Sequence, residues 1–245
     1  MFKKLKFKYS CTLIAVLVFS VIVNAELSKA KKHGELSLLA LGKTDKAMNW
    51  HGYTEIYEHI FNPLKNSPIK ICEIGIEEGG SLILWRDYFP KATIYGIDIL
   101  DKSILNSKRV KTFVADQANR EQLKSFIDKN GDNFDIILDD GGHTMEQQQI
   151  SFGYLFNYLK PGGYYIIEDV HTSIPFYRPG FGVEEDKKNT TLLMINRFIR
   201  YARIISKYLT PEEKAYLNDS IEYCNLFFRN NPRHSIACIF KKKNE

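Results

Sequence analysis

At 245 residues, with 44% hydrophobic and 13% aromatic side chains, the chain is long enough for a sizeable core and too apolar for a disordered protein. Its 34 basic and 29 acidic residues give a formal charge of +5, but Lys3, Lys4, Lys6 and Lys8 all sit at the very start. The remainder is nearly neutral and lacks the basic field that nucleic-acid binding requires.

The chain opens with a leader, residues 1–25. Its lysines precede an apolar run from Thr12 to Val23, and Val23 and Ala25 are small residues ahead of a cleavage position, the form of a secretory signal peptide. The apolar run falls short of the roughly 20 residues that span a bilayer, so export is favoured over an uncleaved anchor, and membrane contact is expected only through this leader. Lys29, Lys31 and Lys32 follow it closely and leave the orientation of an anchor undecided. Residues 26–66 are expected to form a helical cap. Within it, Tyr53 to Phe61 reads as a helix with Ile56, Ile60 and Phe61 on one face and Pro63 closing it. Thr44-Asp45-Lys46 and His51-Gly52-Tyr53 have no packing explanation and read most simply as a capped turn.

From Ile69 a regular alternation begins. Strands are predicted over 68–76, 92–99, 109–116, 134–139 and 164–169, with helices over 81–89, 121–129 and 145–159 and a Pro161-Gly162-Gly163 turn. Such a series predicts the α/β class: a doubly wound, mostly parallel sheet with helices on both faces. An amphipathic helix is expected over 192–209, with Ile195, Phe198, Ile199 and Ala202 inward. The strand-like runs 221–228 and 235–241 then predict a terminal antiparallel hairpin. Cys72, Cys224 and Cys238 lie in apolar strand-like runs without metal-site spacing. Buried free thiols are expected, with a Cys224–Cys238 disulfide as the alternative in an oxidising compartment.

The stretch around which this organisation turns is Phe134 to His143, FDIILDDGGH. Ile136, Ile137 and Leu138 form the continuous apolar run of a central parallel strand. Asp139, Asp140, the flexible Gly141-Gly142 pair and His143 then arrive beyond its carboxyl end, where open α/β sheets bind ligands. A lone DDGG is usually a turn, but Glu168 and Asp169 end the next strand and bring two more carboxylates to the same edge. In the first loop, Gly75-Ile76-Glu77-Glu78-Gly79-Gly80, a glutamate stands where a dinucleotide fingerprint has its second glycine. Two carboxylates at a helix N-terminus repel phosphates and suit a ligand bearing an ammonium and a sulfonium. Asp98, ending the second strand, suits a ribose diol, and Asp116, ending the third, stands where an adenine edge could be read.

In this order, EIGIEEGGSLILWRDYFPKATIYGIDI, FDIILDDGGH and YYIIEDVHTS resemble class I S-adenosylmethionine-dependent methyltransferases. Over residues 44–182, with TDK and HGYTEIYE included, the chain is similar to the metal-dependent sugar O-methyltransferases of the macrocin and mycinamicin type. It departs from them in Glu77-Glu78 and in DDGGH, where DDGSH is usual. The resemblance implies a Rossmann-like methyltransferase domain over 67–245 and S-adenosyl-L-methionine as methyl donor. Glu73 and Gly75 would shape the methionine pocket, Asp98 hold the ribose, Asp116 lie by the adenine and Asp139 near the methionyl end. It further implies Mg2+ on Asp140, Glu168 and Asp169, with His143 as base. Carboxylates from adjacent strand ends are the hard oxygen ligands Mg2+ takes. The expected partner is a small-molecule hydroxyl acceptor, a sugar or glycosylated compound, in a monomer or homo-oligomer. Two other readings stay open. A non-catalytic exported binding protein would reconcile the leader with a donor made in the cytosol. A metal-dependent glycosyltransferase would also use paired aspartates, but has no use for the early GID strand.

Overall fold

The computed structural model describes residues 33–181, 187–231 and 233–245; the leader lies outside them. Strands β1 (Lys70–Ile74), β2 (Thr93–Asp98), β3 (Val110–Val114), β4 (Phe134–Asp139), β5 (Leu159–Ile167), β6 (Ile221–Phe228) and β7 (Ile236–Lys242) form one sheet in the order β3-β2-β1-β4-β5-β7-β6. The first five pair in parallel; β7 runs antiparallel to both β5 and β6. This is the doubly wound sheet with a terminal hairpin that the alternation predicts.

Two cores follow from the period of two along each strand. Ile71, Ile136, Leu138 and Ile166 face a cluster shared with α1 (Glu35–Ala40), α2 (Tyr53–Phe61) and α3 (Gly80–Tyr88). Cys72, Ile74, Ile137 and Ile167 face α4 (Arg120–Asn130), α5 (Met145–Leu155), α6 (Thr191–Tyr201) and α7 (Pro211–Ser220). Ile74 stands opposite both Ile97 and Asp139, and Asp139 opposite Ile167. This register brings the residues after each strand, Gly75, Asp140 and Glu168, to one edge together with Asp98.

Several expectations are corrected. Pro161-Gly162-Gly163 lies within β5 as an irregular start, with the register shifting against Phe134 and Ile136. The helix expected over 192–209 ends at Tyr201, where Ala202 turns left-handed (φ 51°). Ile199, expected inward, is exposed, while Ile204 and Leu209 enter the core from the following segment. Helix α7 was not foreseen; Thr210 and Glu213 form its capping box and Pro211 opens it. On α2 the fully buried residues are Tyr53, Tyr57 and Phe61, and Ile56 and Ile60 are only partly covered. Cys72, Cys224 and Cys238 are free thiols as expected, Cys72 and Cys238 buried and Cys224 only half-buried; Cys224 pairs in register with Phe240, not with Cys238. Among the described residues no helix is long and apolar enough to cross a membrane.

Candidate active site

A cavity of about 460 Å³ opens along the carboxyl edge of the sheet, between the loops after β1, β2, β3 and β4 and the segment Lys43 to Lys46. Its floor depends on a close approach. Gly75 has φ 85°, and a Cβ there would stand 2.1 Å from the Asp140 carbonyl oxygen, so the β1 and β4 loops can touch only through glycine. At Gly80 a Cβ would stand 1.8 Å from the Lys43 carbonyl oxygen, so the N-terminal segment lies directly on the first turn of α3.

At one end of the cavity are Asp98 and Asp116. The Asp98 carboxylate accepts from the Ile76 amide at 2.8 Å and the Leu100 amide at 2.9 Å. Asp116 Oδ1 accepts from the Ala118 amide at 2.8 Å. Gln117 joins two loops: its Oε1 accepts from the Gly142 amide at 2.8 Å and its Nε2 donates to Asp139 Oδ1 at 3.0 Å.

At the other end lies a cluster of acids around a single ammonium. Lys46, only 1% exposed, brings its Nζ to Asp140 Oδ2, to within 3.1 Å of Glu168 Oε2 and to within 3.2 Å of Glu73 Oε1. Tyr57 donates its hydroxyl to Glu168 Oε1 at 2.8 Å, and Tyr53 donates to Asp169 Oδ1 at 2.7 Å. Burial alone would lower the Lys46 pKa, but Asp140, Glu168 and Glu73 outweigh it and hold the ammonium charged, well above its ordinary range. Burial pushes Asp140 up to about 7 against the pull of Lys46 and His143, and pushes Glu168 up as well, against Lys46. Burial also acts upward on Asp169, but His143, His51, His171 and the Tyr53 hydroxyl together hold it below the usual carboxylate value.

His143 completes this end. Its Nε2 is 3.8 Å from Asp140 Oδ1 and 3.7 Å from Asp169 Oδ2. Both His143 (φ 57°) and Asp169 (φ 53°) adopt the left-handed conformation uncommon for non-glycine residues. The Thr172 hydroxyl donates to the His143 carbonyl at 3.1 Å, and the Phe181 ring meets the imidazole edge-on.

Of the residues singled out from the sequence, Gly75, Asp98, Asp116, Asp140 and His143 line the cavity, and Glu168 and Asp169 join the cluster at its end. Asp139 and Glu73 are not among its lining residues. Asp139 is fully buried beneath the loop, where Gln117, Ser151 and Tyr165 donate to its carboxylate. Glu73 is also fully buried; it accepts from Trp85 Nε1 at 2.8 Å and reaches the cavity only through Lys46. Sequence reasoning passed over Lys46, Tyr53 and Tyr57 as site residues, along with His51 and His171, whose Nδ1 atoms lie 3.7 and 3.8 Å from Asp169 Oδ1. The available signal was that 44–46 and 51–53 resisted any packing explanation.

The comparisons with known proteins agree with this geometry. A family model described as a methyltransferase domain matches residues 65–214. The chain is 38% identical over 169 residues to the 8-demethyl-8-(2-methoxy-alpha-L-rhamnosyl)-tetracenomycin-C 3'-O-methyltransferase of Streptomyces olivaceus, covering 66% of this chain and 42% of that one. It is 38% identical over 143 residues to the mycinamicin VI 2''-O-methyltransferase of Micromonospora griseorubida, covering 56% and 35%. It thus spans less than half the length of these two relatives. Among solved structures it is similar to the MycE methyltransferase of the mycinamycin biosynthetic pathway, in complex with Mg, SAH and mycinamycin VI. The TM-score is 0.71 at 29% identity, over 87% of this chain and 56% of that one. With the family model matched over most of the sheet and the cavity at its carboxyl edge, the chain belongs to the methyltransferase domain family.

Proposed function

We propose that the chain is an S-adenosyl-L-methionine-dependent O-methyltransferase that acts on a hydroxyl of a sugar or glycosylated small molecule with the help of Mg2+. One observation carries this reading: a single cavity runs from Asp98 and Asp116, suited to a ribose and an adenine edge, to Asp140 and His143, with Asp169 beside them. The relatives' printed activities, and the Mg and SAH bound to MycE, support the same donor and ion here.

The residues fit a divalent cation. Three acids (Glu73, Asp140 and Glu168) share one lysine ammonium, Asp169 adds a fourth carboxylate, and Asp140 and Asp169 each bring one oxygen within 4 Å of His143 Nε2. Asp140, Glu168 and Asp169 would hold Mg2+, with Lys46 and Tyr57 yielding part of their hold on Glu168. When bound, the ion supplies positive charge that acidifies an acceptor hydroxyl, and the donor supplies an electrophilic methyl group. Asp98 and Asp116 orient the donor, and the glycine contacts at Gly75 and Gly80 shape its cleft. His143 Nε2 takes the hydroxyl proton, and Asp140 and Asp169 on either side stabilise the imidazolium that results.

The test is turnover of a glycosylated acceptor alongside calorimetric titration with S-adenosyl-L-methionine. Mg2+-dependent methylation is expected, with His143→Ala slowing turnover by about 10² to 10⁴ while donor affinity holds, the usual size of a general-base contribution. Full activity in chelator, or in His143→Ala, would remove the mechanism. Absence of donor binding would favour the non-catalytic reading. The leader is read as directing the chain to or across a membrane, with cleavage after Ala25 preferred; N-terminal sequencing of protein from its native cell tests this, and a soluble cytosolic form starting at Met1 would contradict it.

A further inference from the structure

The connection between β6 and β7 is tied to the segment that precedes α2. Asn231 Nδ2 donates to the Trp50 carbonyl at 3.2 Å, Arg229 Nη2 donates to the Met48 carbonyl at 3.3 Å, and Ser235 Oγ lies 2.8 Å from His51 Nδ1. Asn231 Oδ1 also accepts from the Arg233 and Ser235 amides at 3.2 and 3.1 Å. Held in this way, the Arg233 guanidinium lies over the Trp50 ring, 3.3 Å from its centroid. Stacking occupies the flat face of a guanidinium and leaves its N–H edges available. Among the described residues no acceptor engages those N–H groups and no carboxylate forms an ion pair with them. By contrast, Arg109 spends its N–H groups on the Arg86, Phe89 and Ala92 carbonyls, and Arg120 and Arg229 spend theirs on Glu213 and Glu55.

Two routes connect this guanidinium to the acidic end of the site. Trp50 immediately precedes His51, whose Nδ1 is 3.7 Å from Asp169 Oδ1. On the other side the Tyr177 hydroxyl donates to the Arg233 carbonyl at 3.2 Å, and its ring meets His171 edge-on, with centroids 5.0 Å apart. Burial lowers the His51 pKa against the pull of Asp169 and Asp45, and the charge of Arg233 acts in the same direction as burial, so the guanidinium is felt at that imidazole. Trp50 is 46% exposed, which leaves the stacked pair open to solvent just beyond the histidines.

We propose that Arg233, held over Trp50, is an oxyanion subsite that takes a carboxylate or phosphoryl group of the acceptor, so that the acceptor is an acidic sugar. The planar fork of a guanidinium matches two oxygens of either group in a bidentate pair. The stack on Trp50 fixes the side chain beforehand, which reduces the ordering cost of binding. An anionic acceptor approaching Asp169 also needs a cation of its own, because Lys46 is already shared by Asp140, Glu168 and Glu73. That the oxyanion belongs to an acceptor rests on the proposed methyltransferase activity; anion binding by Arg233 does not.

The test is titration of the full chain, followed by nuclear magnetic resonance at the Trp50 indole N–H, with methyl glucuronide, methyl glucoside 6-phosphate and neutral methyl glucoside. The proteins are wild type, Arg233→Gln and Trp50→Leu, with a thermal melt to confirm that each variant is folded; for Trp50→Leu the Arg233 side-chain N–H resonance is followed instead. Wild type should bind an anionic glycoside at least about tenfold more tightly than the neutral one, the smallest contribution expected of a charge-assisted hydrogen bond. The tighter of the two anionic probes identifies the oxyanion. Arg233→Gln should erase the preference while leaving affinity for methyl glucoside unchanged. Trp50→Leu should reduce the preference about two- to fivefold, the size of an exposed cation–π contact. Equal affinity for charged and neutral glycosides in wild type, or a preference that survives Arg233→Gln, would overturn the proposal. So would inorganic phosphate binding as tightly as the glycoside phosphate, since the site would then hold a loose ion and read no sugar. None of these titrations uses methyl donor or metal: a preference lost in Arg233→Gln upholds the subsite even in a chain that fails to bind S-adenosyl-L-methionine, a result that would count against the methyltransferase activity alone.

Discussion

Lys46 is the only ammonium within reach of Asp140, Glu168 and Glu73 among the described residues, and it is buried with Glu168 and Glu73. Replacing it by methionine keeps the volume and leaves buried acids without a counter-charge. Losing one partner of such a cluster costs about 3–5 kcal/mol, so Lys46→Met should unfold at clearly lower urea in chelator, and Mg2+ should recover part of the difference. An unchanged midpoint would show that the acids shed their charge without cost. Asp140 gives the pH dependence. Its pKa rises from an ordinary 3.8 to about 7, chiefly through burial. Below 3.8 it is protonated in both folded and unfolded chains. Between the two values the unfolded chain ionises first, so the folded state loses stability as pH rises, and above about 7 the loss is complete. Asp140→Asn escapes this loss. In chelator its advantage over wild type should widen across that interval and then level off, which melts at a series of pH values would measure. Asp98, Asp116, Asp140 and His143 were legible because acids and a histidine at strand ends announce themselves by position. Lys46 was not, because its partners Asp140 and Glu168 lie 94 and 122 residues away and no periodicity marks a buried lysine.

Helix α2 shows where pattern reading succeeds and where it slips. Its bounds are legible from Pro63 and the apolar spacing, but of the face expected from Ile56, Ile60 and Phe61 only Phe61 is fully buried. The helix instead buries Tyr53, Tyr57 and Phe61, spaced four apart, because the two tyrosines bury an apolar ring and still deliver a hydroxyl to a carboxylate. A hydrophobicity pattern counts such residues as half polar and cannot know that the acids wait beneath. Tyr57→Phe keeps the ring and removes the donor to Glu168 Oε1, leaving a buried acceptor short of a partner. It should cost about 1–3 kcal/mol, lowering the melting temperature with no change in helix content by circular dichroism. An unaltered melt would mean that Lys46 alone satisfies Glu168. The missed helix α7 is a different failure, since Thr210-Pro211-Glu212-Glu213 carries a capping box with proline in the first turn, and only the length assumed for the preceding helix hid it.

At the scale of the molecule, the parallel pairing of the first five strands follows from the alternation of strands and helices, and the expected cap, over its described residues 33–66, packs into the same core as the sheet. Leu36, Tyr57 and Phe61 share one core with Ile71, Ile136 and Trp85. Lys43 to Lys46 wall the cavity, and the Lys43 carbonyl rests against Gly80 at the start of α3. Arg229 at the end of β6 donates to Glu55 on α2 at 2.7 Å, tying the cap to the far edge of the sheet. A chain lacking residues 1–66 would therefore expose one face of the sheet and lose Lys46, His51, Tyr53 and Tyr57 from the site at once. Full-length protein should melt in one cooperative transition. The truncated chain should melt broadly, bind a hydrophobic dye, and give no heat with S-adenosyl-L-methionine, even though the donor loops after β1, β2 and β3 remain. A truncated chain that melts sharply and binds the donor as the whole protein does would show that the cap is an accessory. The acids around Lys46 would then hold their arrangement without its ammonium, through protonation of Asp140 and Glu168, whose carboxyl groups burial already pushes up.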